Sequence, residues 1–412
     1  MRVAIVGCGT AGPAAALLLA RDGHDVQILE RARELGQVGA GILLQQLGQQ
    51  VLADLGLADE LERCSSPVRR VDARTPSGRR VMDFGYHDLR AGTYGWGVHR
   101  GALFGLLLDA VHLAGIPIRT GVEVTALRPR GGGWWLVADG SEELGPFDLV
   151  VGADGARSRL RRFTGVARKD VGYPYGALWS VVPDPEGIAR DVLWQRYHDT
   201  RVTLGVLPTG VGQASVFWSI RCRDMQAAMA AGGRDWVDRA RRYAGALEPL
   251  LDRVDDGPVL TARYRDVVVR SPFVVHRNAG VVLVGDAAHA MSPQLGLGAS
   301  LALADVWALA ACLRRSASDL PSALANYAAS RRAHVRYYTW CSRLMTPVFQ
   351  SDLVPVAWGR DLLLEPIARI PWVRRQFVTT LMGSRTSPWT MWRPPVAGPT
   401  PGAASQATRA RA

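Results

Sequence analysis

The chain has 412 residues, with 49 Lys and Arg against 37 Asp and Glu, a formal net charge of +12. That length predicts two or three structural units, and 48% apolar with 21% charged residues excludes a disordered chain. Five scattered cysteines (Cys8, Cys64, Cys222, Cys312, Cys341) without a Cys-x-x-Cys pair argue against a disulfide framework and a zinc site, and predict a reducing compartment.

Residues 3–6 form a short apolar run ending in Gly7, the pattern of a buried parallel strand. Residues 11–21 are rich in Ala and Leu and predict a helix stopped at Gly23, and residues 25–29 predict a second strand. The unit is strand–helix–strand. The apolar run 14–20 lies inside that helix and is too short to span a bilayer, so a soluble cytoplasmic protein without stable membrane insertion is expected. Residues 122–127 and 134–138 predict a hairpin around Gly131, Gly132 and Gly133, followed by a buried strand at 147–151. The densest basic run, 157–169, has no interleaved aromatic beyond Phe163, which disfavours nucleic-acid binding. A basic face that attracts anionic cofactors is expected instead.

From 172 to 220 aromatic and β-branched residues alternate with turn pairs, predicting an antiparallel sheet in a separate layer. Its aromatic set is Tyr173, Tyr175, Trp179, Trp194, Tyr197, His198, Phe217 and Trp218; one apolar face could cover an aromatic ligand. Tyr197 or His198 could deprotonate a phenol there. A strand at 281–284 precedes an apolar helix at 301–313 and a long helix at 320–345. Residues 346–393 predict further helices, packed on the nucleotide domain or forming a homodimer face, with a basic amphipathic membrane contact through Arg369, Arg374 and Arg375 as the other reading. The Pro/Gly/Ala/Ser-rich stretch 394–412 predicts a disordered tail.

Three motifs carry chemistry. Gly7-x-Gly9-x-x-Gly12 follows a strand and opens a helix, and Glu30 closes the next strand. Such glycines give a tight turn, close approach of backbone to pyrophosphate and close helix–strand packing, while the carboxylate accepts from ribose hydroxyls. The second motif is the strand ending in Gly285-Asp286, with Pro293, Gly296 and Gly298 before a helix; the third is Asp154-Gly155 at another strand end. Asp286 can bind a ribityl hydroxyl.

With these motifs in this order, residues 1 to about 345 resemble the class A flavoprotein monooxygenases, single-component aromatic hydroxylases with the p-hydroxybenzoate hydroxylase fold. The resemblance implies a mixed α/β fold: a Rossmann-like FAD-binding domain in a three-layer ββα arrangement (1–72, 97–170 and 265–345), an antiparallel-sheet substrate domain (73–96 and 171–264) and C-terminal helices (346–393). It implies that Gly7, Gly9, Thr10, Ala11, Gly12, Glu30, Arg31 and Val124 surround the ADP half of FAD. Arg100 would serve the pyrophosphate, Asp154 and Gly155 both FAD and the nicotinamide, and Gly285 and Asp286 the ribityl chain. Gly41, Ile42, Pro293, Gly296, Gly298 and Ala299 would surround the flavin ring, the Pro293 carbonyl facing the substrate. The implied cycle is reduction of FAD by NADH or NADPH, formation of a C4a-hydroperoxide with O2, and oxygen transfer to an aromatic or polycyclic small molecule.

The chain departs from many relatives at Leu297 (commonly Gln), Ser300 (commonly Asn) and Gln45-Gln46 (often Pro-Asn). The last pair reads either as a polar helix start or as amide contacts near the flavin. His289 reads as a satisfied histidine beside the flavin loop. A halogenase is disfavoured, because Lys169 stands outside the position of its catalytic lysine and the WxWxIP motif is missing. A flavin oxidoreductase without oxygen insertion and a non-catalytic flavin-binding protein stay open as alternatives.

Overall fold

The computed structural model describes residues 1–36, 39–89, 91–230, 234–256 and 258–395; most of the expected tail, 396–412, lies outside them. The apolar run at the start of the chain forms the strand Arg2–Val6, whose Val3, Ala4 and Ile5 are fully buried. It lies inside a six-stranded sheet ordered Phe273–His276, Ala279–Leu283, Leu149–Gly152, Arg2–Val6, Asp25–Leu29 and Ile118–Arg119. All neighbours run parallel except the first pair. Both faces are covered, which is why these strands are written as continuous apolar runs. On one face lie the helices Ala11–Arg21, Arg100–Leu113 and Gly298–Arg315, through Ala14, Leu18, Leu103, Leu107, Leu301 and Leu309. On the other lies a three-stranded sheet, Glu142–Phe147, Gly133–Ala138 and Val124–Arg130, whose Val124, Trp134 and Leu136 pack on Ala4 and Val6. The expected three-layer arrangement is therefore present, and the hairpin around Gly131–Gly133 forms two of its strands.

A seven-stranded sheet makes the second layer system, ordered Leu260–Val269, Ala167–Pro183, Gln213–Arg221, Val202–Pro208, Val192–His198, Arg70–Arg74 and Arg80–Gly85. It departs from the sequence expectation in two ways. Val192–His198 pairs with Arg70–Arg74 in parallel, so the sheet is not wholly antiparallel. It also begins at Arg70, before 73, and its outer strand runs on to Val269, past 264. Strand alternation gives the sheet two faces of different use. Leu178, Leu204, Val206, Val216 and Trp218 point one way, against the helices Asp235–Ala244 and Glu248–Asp252 with the buried Trp236. Trp179, Leu193, Tyr197 and Phe217 point the other way, into a cavity.

Two glycines set the shape of this junction. A Cβ on Gly205 would meet the Phe217 ring at 1.9 Å, so that ring lies flat over bare backbone. A Cβ on Gly97 would lie 1.9 Å from the Pro208 carbonyl oxygen. Gly97 belongs to Gly95–His99, the central strand of a small sheet with Gly41–Leu44 and Ser65–Val68, which joins the nucleotide-binding half to the large sheet.

The C-terminal helices Leu320–Phe349, Val354–Ala368 and Pro371–Leu381 do not pack on the nucleotide-binding half alone. Phe349, Leu364 and Val378 join Val71, Phe84 and Tyr197 of the large sheet, roofing the cavity. Trp392 then returns to the first core, stacked on His334 at 5.0 Å between ring centres. Among the described residues no helix is long and apolar enough to cross a membrane.

Gly97→Ala should destabilise the protein by about 1–3 kcal/mol, the cost of forcing atoms into packed space. A lower urea midpoint at unchanged slope would show it; an unchanged midpoint would mean that this approach of backbones is not needed.

Candidate active site

Where the strand Arg2–Val6 hands over to the helix Ala11–Arg21, the backbone is forced into a tight turn. Gly7 has φ +105°, and a Cβ there would meet the Ala153 carbonyl oxygen at 2.5 Å. A Cβ on Gly12 would lie 2.0 Å from the Gly7 oxygen. Gly9, by contrast, has nothing within 4 Å, and faces a cleft of ≈240 Å³ lined by Thr10, Glu30, Arg100 and Phe104. Both Glu30 oxygens accept backbone N–H groups, from Cys8 at 2.7 Å and Ala32 at 2.9 Å, which fixes the carboxylate with lone pairs to spare. Arg100, the first residue of its helix, makes no ion pair among the described residues. Burial and then the Glu30 charge push the Cys8 thiol up to about 12, so it lines the cleft as an unreactive wall. A helix N-terminus, an open glycine, an unpaired guanidinium and an anchored carboxylate are the donor set that a dinucleotide needs. FAD fits here.

Of the eight residues expected around the ADP half, Gly9, Thr10 and Glu30 line this cleft, while Gly7 and Gly12 shape the turn beneath it. Val124 is buried in the core between the two sheets, Arg31 is exposed beside the cleft, and Ala11 is buried in the helix.

The strand Ala279–Leu283 delivers the second motif. Gly285 turns with φ +59°, and Asp286, exposed and without a hydrogen bond among the described residues, points its carboxylate into the large cavity. The turn is held from beneath by Asp305, a residue that no motif singled out. Its Oδ2 accepts from the Gly285 N–H at 2.7 Å and from His289 Nε2 at 2.6 Å, and its Oδ1 from Arg331 Nε at 2.7 Å. Burial alone would raise the Asp305 carboxyl, but His289, Arg331 and the Gly285 N–H outweigh it and hold the group below the usual range. His289 is thus a satisfied histidine, as expected. His334 continues the cluster: Nε2 donates to the Gly383 carbonyl at 2.6 Å and Nδ1 takes a short contact from Arg331. Burial first, then the Arg331 charge, push it down to about 2.

The third motif is knitted to the second. Asp154 Oδ2 accepts from the Arg159 and Leu160 N–H groups, while its buried Oδ1 has no partner among the described residues. Arg161, fully buried inside the basic run, donates to the Ala287 and Ala156 carbonyls, each at 2.8 Å, and pairs with Asp170. Part of the positive charge is therefore structural.

The large cavity, ≈540 Å³, lies between this flavin-motif loop and the apolar face of the seven-stranded sheet. Ile42, Asp286, Gly298 and Ala299 border it on one side, Trp179, Tyr197, Phe217 and Tyr264 on the other. Trp179 and Phe217 hold their ring centres 4.6 Å apart. Burial raises the phenols of Tyr197 and Tyr264 above their ordinary range. Tyr197 is therefore present in the wall but is no base. His198 must be corrected outright: alternation turns it to the opposite face, where it is exposed and stacks on Tyr243 at 5.4 Å. Trp194 and Trp218 point to that face as well. Pro293 lines the cavity, and its carbonyl accepts the Gly296 N–H at 2.8 Å, so one lone pair is already committed to the turn.

The departures at 45, 297 and 300 resolve into packing. Gln45 has an N–H that a proline would lack, and Ser300 Oγ accepts it at 3.1 Å. The Gln45 side-chain oxygen accepts from the Tyr86 hydroxyl at 2.9 Å, and Gln46 begins the helix Gln46–Asp54. Leu297 is buried against Leu47 and Gly383.

Asp305→Ala should cost about 3–5 kcal/mol, because it leaves Arg331 buried without its partner, and a denaturation curve at pH 7.5 checks this. His334 makes stability depend on pH. The unfolded chain takes a proton there near pH ~6.5 and the folded chain only near 2. The stability that neutral His334 contributes is therefore complete above about pH 7 and is lost progressively as pH falls below the unfolded value. Asp305 adds a loss in the same direction only below the ordinary carboxylate range. Urea midpoints at pH 7.5, 6.0 and 5.0 should decline for the protein and flatten in His334→Gln.

Comparison with known proteins agrees with this geometry. Residues 1–340 match the family model described as FAD binding domain. Over 372 residues the chain is 29% identical to an aurachin C monooxygenase/isomerase of Stigmatella aurantiaca, covering 88% of this chain and 94% of the relative. Over 385 residues it is 28% identical to an FAD-dependent urate hydroxylase of Klebsiella pneumoniae, covering 90% and 96%. Among solved structures, Klebsiella pneumoniae HpxO complexed with FAD and uric acid superposes with a TM-score of 0.77 at 23% identity, over 93% of this chain and 97% of that one. A 2-methyl-3-hydroxypyridine-5-carboxylic acid oxygenase superposes with a TM-score of 0.74 at 23% identity, over 90% and 98%. The glycine cleft, the Asp305-anchored turn and the match over residues 1–340 place this chain in the FAD-binding domain family, among the class A FAD-dependent monooxygenases.

Proposed function

We propose that this monooxygenase hydroxylates an aromatic ring held in the large cavity, with NADH or NADPH as its reductant. One observation carries the reading: a single cavity is walled on one side by the flavin-motif loop and on the other by the Trp179–Phe217 face. Bound FAD would supply the redox chemistry, accepting hydride and activating dioxygen for transfer of one atom to the ring. In the cleft, Gly9 leaves room for pyrophosphate, Arg100 offsets its charge and Glu30 accepts from ribose. Asp286 would accept from the ribityl chain, and the backbone at Gly298 and Ala299, which borders the cavity, would approach the flavin ring.

The remaining residues position the substrate. Trp179 and Phe217, tilted 33° to one another, offer an aromatic surface, with Gln195, Thr203 and Ser219 as polar groups of that wall. Tyr86, Tyr197 and Tyr264 stay protonated, since burial raises each of them. Tyr197 and Tyr264 can donate hydrogen bonds to a substrate oxygen, and among the described residues the wall holds no histidine to remove a proton. The reductant rests on the family resemblance.

Glu30→Ala and Asp286→Ala should each weaken FAD binding by roughly 10–100-fold, the worth of a charge-assisted hydrogen bond. Flavin absorbance after dialysis reads this, with circular dichroism to show an intact fold. For the reaction, holoenzyme is mixed anaerobically with NADH or NADPH and a panel of phenols, indoles and quinolones, then exposed to ¹⁸O2. Substrate-accelerated bleaching and ¹⁸O in the product are expected. Reduction with no label in any product would replace the hydroxylase reading with an oxidoreductase that inserts no oxygen.

A further inference from the structure

The wall of the large cavity differs in charge from the rest of the protein. The chain carries 49 Lys and Arg and 8 His, yet among the described residues none of these lines the cavity. Its one charged wall residue is Asp286, at the flavin-motif end. A substrate bearing a carboxylate would shed its hydration here and find no cation, a cost that pairing normally offsets.

The wall also continues past the sheet. Tyr337, Trp340 and Leu344 of the helix Leu320–Phe349 face Val373, Phe377 and Leu381 of the helix Pro371–Leu381 across the same space. Trp340 is 59% exposed and Leu344 54%, although both belong to the wall. The cavity therefore opens to solvent between these two helices, through an apolar mouth. A ring resting on Trp179 and Phe217 leaves that passage unfilled.

We infer that the substrate is a neutral, lipophilic aromatic compound whose apolar side chain leaves the ring site through the mouth between these helices. This rests on the reading of the cavity as the site of hydroxylation. The ring is held by the sheet face and the flavin loop, and the side chain by Trp340, Leu344 and Phe377. Affinity then grows with chain length, by about fourfold for each methylene newly buried, until the chain emerges into water.

The test uses FAD-loaded enzyme and two matched series: 4-alkylphenols from ethyl to nonyl, and the same phenols with a ring carboxylate. Dissociation constants come from perturbation of the flavin spectrum, reduction rates from anaerobic bleaching by NADH or NADPH, and products from ¹⁸O2. In the neutral series affinity should climb with length, and each carboxylated partner should bind at least tenfold more weakly. Leu344→Glu, at an exposed position, should flatten the dependence on length while the variant still retains FAD. Equal or tighter binding of the carboxylated series, or affinity indifferent to chain length, overturns the inference, and labelled product from those compounds would leave the hydroxylase reading standing. Length-dependent binding of neutral phenols with reduction but no ¹⁸O in product upholds the inference about the cavity and overturns hydroxylation. No response from any member of either series overturns both.

Discussion

The site depends on one buried carboxylate. Asp305 ties the Gly285 N–H, His289 and Arg331 together, and through Arg331 it reaches His334, the Gly383 carbonyl and Trp392. Taken singly, a buried aspartate or arginine would be expensive; joined with full hydrogen bonding, each satisfies the other. The result is a turn of fixed shape at the end of Ala279–Leu283, so that Asp286 emerges into the cavity as a free acceptor. The same cluster pins the end of the C-terminal segment to the nucleotide-binding half, which in turn sets the helix Pro371–Leu381 over the cavity. Cofactor loop and substrate roof thus share one anchor.

Motifs whose chemistry is local were readable from sequence. The Gly7-Gly9-Gly12 turn, the Glu30 carboxylate and the Gly285-Asp286 strand end each lie within a few residues of the backbone they shape. Apolar runs also told which strands lie between two covered faces. The Asp305 cluster was not readable, because the turn at 285–289, Asp305 and the pair Arg331 and His334 sit on three separate elements far apart in sequence. The parallel pairing of Val192–His198 with Arg70–Arg74 was hidden for the same reason: register between distant strands is set by the whole sheet. His198 shows a different gap. Alternation was noted, but with no anchor for its phase Tyr197 and His198 were equally eligible. The cavity face belongs to Tyr197 because Leu193 and Gln195 share its parity.

Departures from a family pattern invite a functional story, and here they have a packing one. A proline at 45 would carry no N–H; Gln45 has one, and Ser300 Oγ accepts it. The side chain of Gln45 then takes the Tyr86 hydroxyl, a group on the cavity wall that burial would otherwise leave unsatisfied. Residues 45 and 300 are therefore partners in one hydrogen bond. Leu297 likewise fills space beside Leu47 and Gly383. The backbone at Gly298 and Ala299 opens the helix Gly298–Arg315 and borders the cavity.

What this protein contributes beyond its cofactor follows from the titratable groups around the ring site. Tyr197 and Tyr264 are protonated donors, the Tyr86 hydroxyl is already given to Gln45, and the histidine of the flavin loop, His289, is committed to Asp305. Among the described residues the wall holds no histidine or lysine. The protein must then act through placement and dryness: aromatic surfaces that fix the ring, a roof of C-terminal helices that limits water, and buried donors that can bind an oxygen already electron-rich. On the proposed function, such a site would favour compounds whose ring is reactive without assistance from a base. The absence of cations from the same wall points in the same direction, since a compound that needs no charge for its reactivity needs none for its recognition.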